Sequence, residues 1–551
     1  MTTGPRRPTG PRTAVGHVPQ KQRALIGIAG VSALGTMLSR TTGLGRTVAQ
    51  AAALGANGVS DAYNLANTTP NLIYDLVLGG ILSGTLVPVF VQALADDEDR
   101  GWEAISAVCT AIAAVLGAVT VVFFVAAPLI IRFYEVTSHG PGAAAERHLA
   151  VTLLYLFVPQ LAFLGMTAVV TAILAARRSY AAPMYTPILN NVIVIAVLIA
   201  FAAMVAHPTV AQVRSDSGAV LLLGLGTTAG VAVMALALLP ALRRSGARLR
   251  WVWNPRHPAC RRIVRLAGWT AGVVAANQAA FLLIVLLANH TVGEFTAWTY
   301  AYQFFLLPHA IWTVSLLGPL ETDVAHRWQA GDTDGARRHL VETIWSGIVL
   351  IVPAGLGYAV LARPVITIVL LHGNMTAHGA RLTADTLAAF ALGLPFFSVY
   401  AVLMRTYQAM QDTRSMFRVY LVENALTIVF ALLLHGRFGV TGLAASWSLA
   451  YAGGAIVAGW HISRRLGGIG GRHLGQAVVV VLVGGVLAAG SAWAVSSALA
   501  HLPGGTRQLG LAMRVLVSVG TGATVYLVAA RALGFEHIRV KLGVTARSLN
   551  D

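Results

Sequence analysis

Two arginines interrupt the first apolar stretch of the chain. From Ala24 to Leu38 there are only 15 residues before Ser39-Arg40, about 22 Å of helix, short of the roughly 30 Å of hydrocarbon in a bilayer. Arg40 is therefore expected at membrane depth, with Arg46 near it, and Gly43 and Gly45 between them are expected to loosen the helix. A guanidinium at that depth needs a partner or a wet cavity. Its planar fork suits phosphate oxygens better than a point charge does, so the implied chemistry is binding of an anion. The other reading is an arginine that snorkels to the outer interface.

The acidic candidates are few. Asp61 opens the second apolar segment, either as the cap of its own helix or as a partner of Arg40 or Arg46. Asp75 lies deeper, five residues after Pro70, whose ring frees backbone groups and makes it a candidate hinge. Glu423 sits beside Asn424 within an apolar segment. It reads either as a coupling site for a cation or proton, or as a carboxyl neutralised by burial or by Arg418. Pro308 is a second candidate hinge, and His309 beside it reads as a packing residue. No phosphate-binding glycine loop, metal-ligand spacing or nucleophile elbow is present, so neither an enzyme nor a cofactor or metal site is expected. Cys109 and Cys260 make no disulfide framework.

The elements that must position these residues are membrane helices. Of 551 residues, 56% are hydrophobic and 11% charged, against about a quarter charged in soluble domains. Fourteen apolar segments follow one another, from 24–55 to 510–533. The expected fold is an all-α polytopic membrane protein of about fourteen transmembrane helices. With the N-terminus inside, 29 of the 39 Lys and Arg fall in inward-facing segments, which predicts both ends in the cytoplasm of a plasma-membrane protein. The net charge of +18 is thus an orientation signal, and no nucleic-acid partner is expected.

The loop Arg243 to Arg265 carries eight arginines and divides the chain. We expect a disordered basic tail at 1–23, an N-terminal lobe of six helices at 24–242 and a cytoplasmic linker at 243–261. A C-terminal lobe at 262–465, two more helices at 475–533 and a tail at 534–551 complete the chain. Short matches suggest that the lobes repeat. Pro70 and Pro308 correspond, "AARRSYAAP" and "QDTRSMFRV" share an Arg-Ser pair, and Asn190 and Asn424 follow at similar distances. Chance likeness of loops is the competing account.

Residues 39–90, "SRTTGLGRTVAQAAALGANGVSDAYNLANTTPNLIYDLVLGGILSGTLVPVF", together with "APMYTPILNNVIVI" and "YQAMQDTRSMFRVYLVENAL", resemble the MurJ/MviN lipid II flippases of the multidrug/oligosaccharidyl-lipid/polysaccharide exporter superfamily. The scarcity of Lys suggests an actinobacterial version. The resemblance implies two six-helix lobes around a central cavity and alternating access. It implies an undecaprenyl-pyrophosphate-linked peptidoglycan precursor as substrate, and a lipid-tail groove on the last two helices. Arg40, Arg46 and Asp61 match cavity residues of that family. Gln303 stands where the family has a cavity arginine, as do Tyr74 and Asp75 where arginines are frequent. Those departures leave two other functions open: export of another polyprenyl-linked saccharide or a drug, and a non-transporting scaffold for the cell-wall synthesis machinery.

Overall fold

A computed structural model of the protein describes residues 20–79, 85–136, 142–469, 471–501 and 508–535. Of the expected tails at 1–23 and 534–551, residues 1–19 and 536–551 lie outside them. The N-terminal tail is shorter than expected, because the first helix begins at Gln20.

Among the described residues every regular element is helical. The N-terminal lobe comprises α1 (Gln20–Leu54), α2 (Gly58–Tyr74) continued by a π-helical turn (Asp75–Gly79), α3 (Leu86–Asp96), α4 (Glu98–Tyr134), α5 (Ala143–Phe157), α6 (Gln160–Ala176), α7 (Ala181–Met204), the short α8 (Val210–Ser215), α9 (Ser217–Leu236) and α10 (Leu239–Arg244). After the linker come α11 (Pro258–Ala288), α12 (Glu294–Gln329), α13 (Thr333–Leu370), α14 (Ala377–Ala409), α15 (Thr413–Arg465), α16 (Gly471–Ala500) and α17 (Gln508–Ala532). Polar residues at the turns start the helices by accepting orphan backbone N–H groups: Asn57 for α2, Asp97 for α4, Asp332 for α13, Thr376 for α14 and Asp412 for α15. α15 is two helices joined at Gly439, whose φ of 54° breaks the helical path.

Nine of the described helices are long and apolar enough to cross a membrane, or ten if α5 and α6, bent by 41°, form one span. The sequence expectation of about fourteen is met only in part by this measure. Several expected spans are interrupted or polar, as at the π turn after α2, or fused, as in α15.

Two hinge expectations change. α1 runs unbroken through Gly43 and Gly45, and α12 runs unbroken through Pro308. α2 passes Pro70 as helix and departs from α geometry only at Asp75. That is five residues on, past the peptide groups that the proline frees.

The apolar cores show how the lobes meet. One core joins both lobes at the Leu54 end of α1, bringing Leu54, Val59 and Tyr63 together with Phe295, Trp298 and Met375. At the opposite end there are two separate cores. One packs Phe90, Trp102 and Ile173 with the start of α11; the other packs Leu340, Tyr407 and Ile462 within the C-terminal lobe. The lobes thus share one core at the first, fused end, while at the other, among the described residues, only the start of α11 crosses to the N-terminal lobe.

Candidate functional site

At the fused end the contacts between lobes are polar as well as apolar. Asp61, buried in α2, accepts hydrogen bonds from the backbone N–H of Gly293 and of Thr296 (2.9 Å) and from the Thr296 hydroxyl (2.6 Å). It therefore caps α12, a helix of the other lobe, and meets that helix's positive end. Both sequence readings of Asp61 are corrected: Asn57 caps α2, and no arginine lies within ion-pair range of Asp61 among the described residues.

Neighbouring bonds extend this clasp. Asn64 donates to Thr296 (3.0 Å) and accepts from Gln50 (2.7 Å). The C-terminal end of α1 is bound by the loop before α14, where Asn374 donates its N–H to the Ala52 carbonyl (2.8 Å) and its side-chain amide to that of Ala53 (2.9 Å). Gly373, at φ 58°, carries this contact, and a Cβ there would meet the Ala52 carbonyl oxygen. Sequence reasoning missed Asn374 and Thr296, because loop polar residues of ordinary type give no sign of which distant helix end they will reach.

Between the lobes lie two polar hollows on adjoining faces of α12. The first, about 370 Å³, is lined by Arg40, Ser39, Gly43, Asn190, Asn191 and Gln303, from α1, α7 and α12. Arg40 is exposed to it and forms no ion pair among the described residues. Its α1 position is 14 residues before Leu54, about 21 Å along the helix from the fused end. Arg46 is half-buried and lies outside this hollow.

The second hollow, about 460 Å³, is acidic. Asp75, Glu423, Asn424, Asn277, Gln278 and Asn71 line it together with Tyr302 and Trp447. Glu423 is buried and accepts from Thr427 (3.1 Å); Asn424 donates to Asn277 (2.6 Å). Arg418 forms no ion pair with Glu423, so that source of neutralisation is absent. His309 is buried and meets the Ser398 hydroxyl at 3.2 Å. A third hollow, about 450 Å³ and almost wholly apolar, runs between α13 and the pair α16 and α17, past Pro353, Tyr358, Gly522 and Tyr526.

The hollows are related by an internal repeat. Arg178 and Gln411 are the two described non-glycine residues with positive φ, 59° and 56°. Each closes the same helix-ending motif: Ser179 N–H to the Leu174 carbonyl (2.8 Å) and Asp412 N–H to that of Tyr407 (3.0 Å). Counting on from this turn, Asn191 corresponds to Asn424. Asn191 bonds Ser39 and Thr42 on α1, the first helix of its lobe; Asn424 bonds Asn277 on α11, the first helix of the other. Glu423 then corresponds to Asn190, so one hollow is basic where its counterpart is acidic.

Comparison with known proteins settles the family. The lipid II flippase MurJ family model matches residues 50–509. The chain belongs to the MurJ family. A probable lipid II flippase MurJ of Synechocystis is 26% identical over 477 residues, covering 85% of this chain and 87% of the relative. The lipid II flippase MurJ of Burkholderia cenocepacia is 25% identical over 429 residues, covering 76% and 80%. Among solved structures, a lipid II flippase MurJ in an inward closed conformation superposes with a TM-score of 0.75 at 18% identity, covering 92% of this chain and 99% of that one. An inward-facing multidrug MATE transporter superposes at 0.65 and 12% identity, covering 80% and 98%. The fold is thus that of the MurJ and MATE transporters, and the protein is a multi-pass bacterial membrane protein.

Proposed function

We propose that this chain carries lipid-linked peptidoglycan precursor from the inner to the outer leaflet by alternating access. The observation that carries the reading is Arg40. It is an arginine about 21 Å along α1 from the fused end, without a carboxylate partner among the described residues and open to a hollow formed by helices of both lobes. Such a group is retained where an anion visits it. Family membership supplies the substrate class. The excess of Lys and Arg at the unfused end orients that end to the cytoplasm. The fused end, clasped by Asp61 and Asn374, then faces outward, and the hollows await a substrate from inside.

In this reading Arg40 and Arg46 meet the pyrophosphate, Gln303 borders its path, Asp61 holds the outer end closed, and the apolar hollow along α16 and α17 takes the polyprenyl tail. Glu423 and Asn424 hold the coupling cation or proton. Moving an anion outward is favoured by the membrane potential by about 2.3 kcal/mol per charge per 100 mV, so no nucleotide site is needed.

The test is growth and outer-leaflet delivery in a strain depleted of its own lipid II flippase. The parent chain restores both; Arg40→Ala and Arg46→Ala, made at normal levels, restore neither, and Lys at either position restores part. Normal delivery by both alanine variants overturns the anion site. A second reading, export of another polyprenyl-linked saccharide, is favoured by Tyr74, Asp75 and Gln303 and by the acidic hollow. Failure of the parent chain to complement, with normal membrane insertion, selects it.

A further inference from the structure

The linker between the lobes does more than join them. From Arg243 to Arg265 the sequence holds eight arginines and no acidic residue. Among the described residues only Arg248 is ion-paired, to Asp99 at 3.0 Å. Within this stretch the chain runs extended alongside α4, held there by two side-chain acceptors. Arg250 N–H bonds the Ser106 hydroxyl and Val252 N–H bonds that of Thr110, both at 3.1 Å. Leu249, Trp251 and Trp253 of this stretch are 40%, 75% and 63% exposed, and Arg250 between them is exposed as well.

The level of this strap in the membrane follows from α4. Its lipid-facing apolar residues run from Val115 to Phe133, 18 residues or about 27 Å, which is close to the hydrocarbon thickness. Thr110 lies five residues outside that band, about 7 Å, at the depth of the lipid headgroups. The strap approaches the membrane as it proceeds, since 250 pairs with 106 and 252 with 110, so Trp253 is nearest the hydrocarbon. α11 repeats the pattern. Before its apolar span begins at Thr270, exposed Val264 (71%) and Leu266 (51%) alternate with Arg261, Arg262 and Arg265.

We propose that this strap is a binding site for anionic phospholipids of the leaflet on its own side. Trp251 and Trp253 insert at the headgroup boundary and the unpaired arginines hold the phosphates. Indole belongs at that boundary, and a surface with arginines and no carboxylate complements anionic headgroups. The seating ties the only covalent connection between the lobes to the membrane surface while the lobes move. The inference concerns the linker alone and is independent of what the cavity carries.

The experiment uses the full-length protein in detergent, titrated with phosphatidylglycerol, phosphatidylcholine or inositol hexakisphosphate, with the unfolding midpoint as readout. Phosphatidylglycerol should raise the midpoint well beyond phosphatidylcholine, and 0.5 M salt, on the order of a 4 Å screening length, should remove most of the difference. Arg250→Gln with Arg256→Gln should weaken the apparent phosphatidylglycerol affinity roughly thirtyfold, from about 1 kcal/mol per arginine. Adding Trp251→Ser and Trp253→Ser should remove the remaining selectivity. The arginine pair is exposed, so it tests the site even if the fourfold variant does not fold. Equal midpoints with the two lipids, an undiminished phosphatidylglycerol response in the arginine variant, or an equal response to the soluble polyphosphate would each overturn the proposal. The last outcome would mark a plain anion site for a soluble ligand.

Discussion

Removing the Asp61 carboxylate should release the fused end of the molecule. In Asp61→Ala the Gly293 and Thr296 N–H groups and the Thr296 hydroxyl lose their acceptor. A stranded buried donor costs about 1–3 kcal/mol. Water reaches the site once the lobes part, so the cost falls on the clasped state alone. Taking about 3 kcal/mol for the set, the population open at this end rises roughly 150-fold relative to the clasped state. Asp61→Asn keeps an acceptor oxygen and loses mainly the charge at the helix end, about 1 kcal/mol or roughly fivefold. Spin labels on Ala206→Cys and Val292→Cys, one on each lobe, would read this in a background with Cys109 and Cys260 replaced by Ser. The parent should show one short distance, the alanine variant an added longer one, and the asparagine variant less of it. A folded, monodisperse alanine variant with the parent's distance distribution would refute the clasp.

Three further outcomes are expected. Glu423→Gln should slow transport and flatten its dependence on external pH or sodium; unchanged rates across both would leave the carboxyl a packing group. Cysteine at Ala206 should react with an impermeant reagent from outside the cell and cysteine at Ala330 only after permeabilisation, and the reverse would overturn the orientation. Asp412, in the turn before α15, is pushed up by partial burial, but bonds from Ser415 and the nearby Arg465 outweigh this and hold its carboxyl below the usual range. Its contribution is therefore complete above the unfolded value of about 3.9 and is lost as pH falls through the lower folded value. Asp412→Ala should cost about 1 kcal/mol at neutral pH, as a lost helix cap does, and should lessen the acid sensitivity of unfolding. An acid limb identical to the parent's would show that the turn does not depend on this charge.

What could be read from the sequence follows the range of the physics involved. Membrane helices are written locally, in apolar length and in the placement of arginines, so the fold class was legible. Arg40 could be singled out for the same reason, because its position is set by counting residues along one helix. Gln303 was singled out on family likeness alone, and it lines the same hollow as Arg40. Asp61 was not legible: the backbone N–H groups it binds lie 232 and 235 residues further along the chain, and no local pattern tells a carboxylate which helix end it will meet. Gly43 and Gly45 misled, since a glycine's cost in a helix, about 1 kcal/mol each, is small beside the packing of α1 along α7.

The repeat shows how the sequence can point correctly through a wrong detail. The two Arg-Ser pairs that suggested it are Arg178-Ser179 and Arg414-Ser415, yet the left-handed turns pair Arg178 with Gln411, three residues earlier. What the lobes share is a left-handed helix end and an asparagine 13 residues beyond it that ties the fifth helix of the lobe to the first. A positive φ and a hydrogen bond between helices constrain a position more tightly than the identity of a surface pair does, so they persist where the pair drifts. With this register the difference between the hollows becomes specific. The same position is Asn190 beside Arg40 in one lobe and Glu423 in the other. A single duplicated scaffold thus presents opposite charge on the two faces of α12. On the proposed function, the anion at Arg40 and the coupling cation at Glu423 would then occupy separate faces of α12 without competing.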